Sequence, residues 1–304
     1  MRLTEIQGLM RTEENRARIR ELTTPQFVAW PTVAMMMVSL TVYGFSVALS
    51  LLGTLPLWAG GLINGLIGYL IFSVIHDSIH RAVSSNQRLN DFLGQLSLVA
   101  FSPMVTLGAF RWGHIQHHQH ASGEKDPDRF AFEGPKWLLP LRWMFIDVWY
   151  FFFMIRSGDR VAARHLKPTL LATTLTLSAF AAATAMGFGW EIFWLWFVPT
   201  RITQLLLGYA FFWLPHEPHD TPQEENFTRA TCMRLGQEWL MTPLLQYHNY
   251  HLVHHLFPRT PFYRHGEMWR LLKPQLEQHE LAIQHDFSVK PRIYGQGDMP
   301  DRPG

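Results

Sequence analysis

LTTPQFVAWPTVAMMMVSLTVYGFSVALSLLGTLPLWAGGLINGLIGYLIFSVI, Leu22 to Ile75, contains no Asp, Glu, Lys, Arg or His. A run of that length without a charge fits two bilayer spans of about 20 residues each. The turn-like Gly53-Thr54-Leu55-Pro56 divides it and predicts spans at about 28–52 and 57–76. A second apolar block runs from near Thr169 to Pro215, interrupted only by Glu191 and Arg201. Gly187-Phe188-Gly189-Trp190 breaks this block, with Trp190 suited to a membrane interface, and predicts spans at about 169–186 and 191–214. The expected architecture is an all-α integral membrane protein with four transmembrane helices in two hairpins. A cleavable signal peptide does not fit, because the first apolar run is too long and starts too late.

Basic residues set the expected orientation. Of the 26 Lys and Arg, 25 fall in 1–20, 81–167 or 229–302, and the two hairpin tips contain none. The positive-inside rule then places both termini and the large middle segment in the cytoplasm. Arg201 lies inside the fourth span, where it is costly unless it is paired, lines a polar cavity or snorkels. A net charge of +2 gives no support for nucleic acid as a partner. The single cysteine, Cys232, excludes an intramolecular disulfide and a four-cysteine metal site within one chain.

Three parts are expected. Residues 1–24 read as an amphipathic cytoplasmic helix near the membrane, with Arg16, Arg18 and Arg20 free to meet anionic headgroups. Residues 25–288 form the membrane domain, and 289–304 form a flexible tail rich in Gly, Pro and Asp. Between the hairpins, the runs at about 93–110 and 137–155 carry polar interruptions and read as interfacial helices. Gly61 and Gly65 make a GxxxG whose simplest meaning is close helix packing.

The chemistry lies in the histidines, of which there are 16. His76 and His80 stand in HDSIH, where the second span ends. His114, His117 and His118 stand in HIQHH, and His251, His254 and His255 in HLVHH. His216 and His219 stand in PHEPHD, where the fourth span ends. All these clusters fall at one membrane face, so distant segments can converge. Residues at i, i+3 and i+4 project from one side of a helix, so each triplet can aim three imidazoles the same way. One zinc needs only four ligands, and eight or nine nitrogens imply two metal ions. Neutral imidazole suits iron, copper, zinc or nickel. Taken singly, a histidine at a membrane boundary is more often a hydrogen-bonded interfacial residue than a ligand. The co-occurrence of HxxxH and two HxxHH motifs at one face argues against that reading here. Asp77 reads as a partner that orients a ligand histidine. His165, His265, His279 and His285 are isolated, and His120 and His248 adjoin motifs without completing them.

Together these motifs resemble the integral-membrane fatty acid desaturase/hydroxylase superfamily, from about the first span to Lys273. The resemblance implies a cytoplasmic helical cap carrying the histidine boxes. It also implies that His76, His80, His114, His117, His118, His251, His254 and His255 bind metal. A ninth ligand follows the fourth span in such proteins: His216 sits there, with His219 as runner-up. The implied cofactor is a non-haem di-iron centre, two Fe ions using O2 to remove hydrogen from an unactivated C–H bond. Desaturation or hydroxylation follows from how the substrate is placed.

An acyl lipid entering from the bilayer is the default substrate that the resemblance implies. HDSIH followed by Arg88-Leu89-Asn90, the WLPH segment and HHLFPRTPFY also resemble carotenoid ring hydroxylases and ketolases, which makes a carotenoid the alternative. The chain has no HPGG haem motif. Electrons are therefore expected from an external ferredoxin-, rubredoxin- or cytochrome-type donor, to whose docking Arg81, Arg111, Arg229 and Arg234 can contribute. A metal-binding membrane transporter is the distant rival; it predicts ionisable residues along the spans, and the first three have none.

Overall fold

A computed structural model describes residues 3–298, which are mostly helical. Helix α1 spans Leu3–Met10, α2 Glu13–Thr23, α3 Trp30–Leu51 and α4 Leu57–Ile79. Both α3 and α4 are long and apolar enough to cross a bilayer, and they form the expected pair. Their outward faces keep large apolar side chains exposed, such as Phe45 and Trp58. Their contact faces are small instead. Against lipid there is no hydrophobic gain in pairing helices, so close backbone approach supplies the attraction. On α3, Thr32, Ser39, Ser46 and Ser50 are buried. On α4, a Cβ added at Gly61 would lie 2.5 Å from the Trp194 carbonyl oxygen, and one at Gly65 2.7 Å from Ile202 Cγ2. The GxxxG is thus a packing face, against the last apolar helix.

The run expected as one interfacial helix at 93–110 is two helices, α5 (Gln87–Phe101) and α6 (Leu107–His120). Pro103 has no N–H for a continuing helix, and Thr106 starts α6 anew by accepting from the Ala109 N–H. The run at 137–155 is likewise two, α7 (Leu139–Met144) and α8 (Ile146–Arg156), and the stretches Lys136–Met144 and Ile146–Arg156 meet at 79°. Helix α9 (Arg160–Ala183) is capped by Asp159, which accepts from the Val161 and Ala162 N–H groups. It leads into a helical stretch reaching His216 that includes α10 (Gly189–Ile192) and α11 (Val198–Leu207). That stretch is not one rod. Residues 16 apart on a straight helix are separated by about 24 Å, yet the rings of Phe180 and Trp196 lie 4.6 Å apart. The chain reverses at Gly187, whose φ of 98° and ψ of 0° break the helix where a residue without Cβ is favoured.

Arg201 on α11 is paired. Its guanidinium holds Asp147 of α8 and the Met144 carbonyl, with the Phe145 ring 5.1 Å away.

Beyond the apolar helices the chain departs from an all-α fold. Strand β1 (Cys232–Leu235) pairs parallel with β2 (Leu281–His285), and β2 pairs antiparallel with β3 (Arg292–Tyr294). The flexible tail expected from residue 289 is therefore fixed through Tyr294, whose side chain is buried on this sheet; residues 299–304 lie outside the described residues. A short helix, α12 (Glu238–Leu244), follows β1, and the sheet shares a second core with α1, α2, α13 (His251–Leu256) and α14 (His265–Leu276). The N-terminal segment is two helices: Ile6, Met10, Ile19 and Leu22 are buried in that core, so its apolar face meets protein rather than headgroups. Arg18 is bound to Glu21 and Glu267. This core clamps the last histidine motif against the ends of α4 and α6.

Candidate metal centre

The nine histidines expected as ligands fall into two groups. His76, His80, His114, His118 and His254 form one, and His117, His216, His251 and His255 the other. Within each group the facing ring nitrogens lie within 4.8 Å of one another. Two nitrogens on opposite sides of one ion, each about 2.1 Å from it, are about 4.2 Å apart. Each group thus has the spread of donors around one metal ion.

The triplets do not aim all three rings one way. Helical residues advance about 100° each, so i and i+4 differ by about 40° and i+3 stands about 60° to the other side. On α6, His114 and His118 go to the first group and His117 to the second. On α13, His251 and His255 go to the second group and His254 to the first. Each triplet thus gives an i, i+4 pair to one group and its middle histidine to the other.

The nitrogens face one another as donors around an ion do. His114 Nε2 lies 2.9 Å from His80 Nε2 and 3.0 Å from His118 Nε2, and His254 Nε2 lies 2.9 Å from His118 Nε2. In the second group His251 Nε2 lies 2.9 Å from His216 Nε2 and 3.0 Å from His255 Nε2. His76 Nε2 is buried without a hydrogen-bond partner. Buried polar atoms left unpaired are costly, and a cation satisfies all of these lone pairs together. Burial holds His114, His118, His254 and His255 well below the ordinary imidazole range, in the neutral form that binds metal.

His117 differs. Its Nδ1 lies 3.0 Å from Asp126 Oδ1 and 3.1 Å from Asp128 Oδ2. Burial works to lower its pKa, but the two carboxylates outweigh burial and raise it to about 9. A carboxylate behind a ligand imidazole fixes its tautomer and aims Nε2 at the metal. The expectation gave this orienting role to Asp77. Asp77 instead accepts from the Thr32 hydroxyl and the Phe262 N–H, each at 3.1 Å, and ties α3 to the loop after the last box. Asp126 and Asp128 were missed; the available signal was DPD, eight residues beyond the second box.

The other histidines separate clearly. His219 stacks on Phe132 with ring centroids 4.2 Å apart and joins neither group. His248 is buried against Phe211, its ring 5.0 Å from His76 and 5.1 Å from His251. His265, expected to be isolated, is buried 5.5 Å from the His254 ring and bonds the Thr260 carbonyl. Two of the proposed docking arginines are spent internally. Arg111 holds Asp91 and the Ile79 and Ser78 carbonyls, and Arg234 is buried on β1 against Gln284 and the Asp286 carbonyl. Beside the groups, an apolar cavity lies among α4, α5, α6, α8, α9 and α11, bordered by Phe72, Phe110 and Phe212.

Fold and site combine helices long and apolar enough to cross a membrane with two groups of histidines at their ends, each able to hold a metal ion. Residues 52–287 match the family model for fatty acid desaturases, and the chain belongs to that family of oxidoreductases. It is 28% identical over 244 residues to a beta-carotene ketolase of Paracoccus sp. (strain PC1), covering 77% of this chain and 88% of that protein. It is 26% identical over 223 residues to a fatty acid desaturase of Bacillus subtilis, covering 64% of this chain and 62% of that one. An sn-1 acyl-lipid omega-3 desaturase (ferredoxin) of Synechocystis sp. is 22% identical over 246 residues, covering 72% and 67%.

Proposed function

We propose that the protein is an O2-dependent di-iron oxidoreductase acting on an unactivated C–H bond of a lipid-soluble substrate. The observation that carries this is the convergence of nine histidines from four separate segments into two adjacent groups. His76, His80, His114, His118 and His254 would hold one iron, and His117, His216, His251 and His255 the other. The bound irons supply the O2 chemistry. The chain's own part is to hold the other imidazoles neutral, fix His117 through Asp126 and Asp128, and keep the substrate's reacting carbon in an apolar wall away from bulk water.

In this reading the membrane holds two hairpins, α3 with α4 and α9 with the stretch from α10 to His216, turning at Gly187. The 79° bend keeps α7 and α8 from forming a straight span, so they belong at the interface. The charge bias puts the termini, the histidines and the sheet-containing cap on the cytoplasmic side. An external ferredoxin-like donor would deliver electrons there, in keeping with the ferredoxin for which the Synechocystis desaturase is named.

The sequence alone puts an acyl chain first. Coverage favours a carotenoid ring: the ketolase is matched over 88% of its length, whereas the Bacillus desaturase is matched over 62%. Acyl desaturation is the second reading, supported by the family model and four desaturase relatives. Metal analysis of the purified protein should give about two irons per chain; stoichiometric zinc without O2-dependent turnover would refute the proposal. Expression in one host making β-carotene and another making ordinary lipids separates the substrates. Oxidised pigment supports the first reading, and new acyl unsaturation with unchanged pigment supports the second.

A further inference from the structure

The apolar cavity and the second histidine group are joined by one side chain. Tyr150 of α8 lines the cavity, and its hydroxyl donates to Asp128 Oδ1. The other oxygen of Asp128 lies 3.1 Å from His117 Nδ1. Among the described residues that line the cavity, only Tyr150 bonds the carboxylates behind a histidine of either group. Its ring has little freedom. It lies over Gly113 of α6, where a Cβ would sit 2.6 Å from its Cε1, and it meets the Phe110 and Phe212 rings at 6.4 and 6.3 Å. Asp126 is held by the backbone instead, accepting from the Ser122 N–H at 2.8 Å and the Asp128 N–H at 2.9 Å. Of the two carboxylates behind His117, Tyr150 therefore bonds Asp128 and not Asp126.

We propose that Tyr150 is a positioning residue that ties occupancy of the cavity to the setting of His117 through Asp128. This rests on reading the cavity as the place of the lipid substrate. When the cavity fills, the ring cannot retreat into α6, because Gly113 is already in contact. The displacement passes to the hydroxyl and so to Asp128. His117 Nδ1 then sits differently between its two carboxylates, and Nε2 is re-aimed within the second group.

The test uses the full chain in detergent, loaded with cobalt, whose paramagnetic resonance spectrum reports ligand geometry without turnover. β-Carotene and, in separate samples, a distearoyl phospholipid are the probes. The wild-type spectrum should change with at least one of them. Tyr150→Phe should keep two cobalt ions per chain and still bind the same probe, yet lose the change; loaded with iron, it should turn over about 10–100-fold more slowly. Gly113→Ala, which displaces the ring but keeps the hydroxyl group, should distort the change as well. A full-sized change in Tyr150→Phe would overturn the coupling, and so would loss of its cobalt, which marks a merely structural role. Wild-type protein that holds two cobalt ions and responds to neither probe overturns the coupling alone; one that holds none overturns the metal assignment with it.

Discussion

Replacing Asp147 by Ala tests whether Arg201 is neutralised inside the apolar bundle as the structure shows. The pair is largely removed from solvent, at 13% and 21% side-chain exposure, and it is bidentate. Removing one partner of a buried ion pair costs about 3–5 kcal/mol, because the other charge is left without compensation. Arg201 would keep the Met144 carbonyl and the faces of Phe145 and Phe197, at 5.1 and 5.7 Å. The lower end, about 3 kcal/mol, is therefore expected for Asp147→Ala, roughly a hundredfold in the unfolding equilibrium. Arg201→Leu removes the charge itself, so the double variant should recover more than about 1 kcal/mol relative to additivity. Reversible unfolding in mixed micelles, followed by helix content, measures all three. Additive costs, or an Asp147→Ala effect below about 0.5 kcal/mol, would refute the pairing of α8 with α11.

Three further outcomes are expected. His254→Ala and His117→Ala should each abolish turnover and lower the iron content by about one ion from different centres, with membrane insertion intact; equal retention of both ions would remove that residue from the ligand set. Gly61→Ala should destabilise by about 1–3 kcal/mol in the same unfolding assay, since the new Cβ meets a main-chain carbonyl that cannot rotate away. Metal should be lost as pH falls. Burial depresses His80 to about 3 and His265 to about 4, below the ordinary 6.5, so the fold favours the neutral forms. Their stabilisation is complete above about 6.5 and declines toward the folded values, where protons also compete for the ligand nitrogens. Metal retention that is flat from pH 7 to 4 would contradict this.

Four apolar segments, their breaks at Gly53–Pro56 and Gly187–Trp190, and the histidine motifs at their ends could all be read from the chain. Composition and spacing are local properties, and a bilayer makes them decisive because unpaired backbone cannot face lipid. The sheet could not be read, because β1 and β2 are 45 residues apart and each is too short to carry a pattern of its own. The tail past Val289 looked polar for the same reason: only pairing with β2 gives Ile293 and Tyr294 their places.

Within the site, the division is sharper. Residue type and helical spacing marked the histidines that gather into the two groups. Tertiary structure alone decided which centre each joins, since that depends on how α6 and α13 face each other. It also decided that His216 rather than His219 reaches the second group, that Asp126 and Asp128 rather than Asp77 stand behind a histidine of the groups, and that Arg201 has a partner. Each of those outcomes is a contact between segments distant along the chain, fixed by packing geometry that no local pattern encodes.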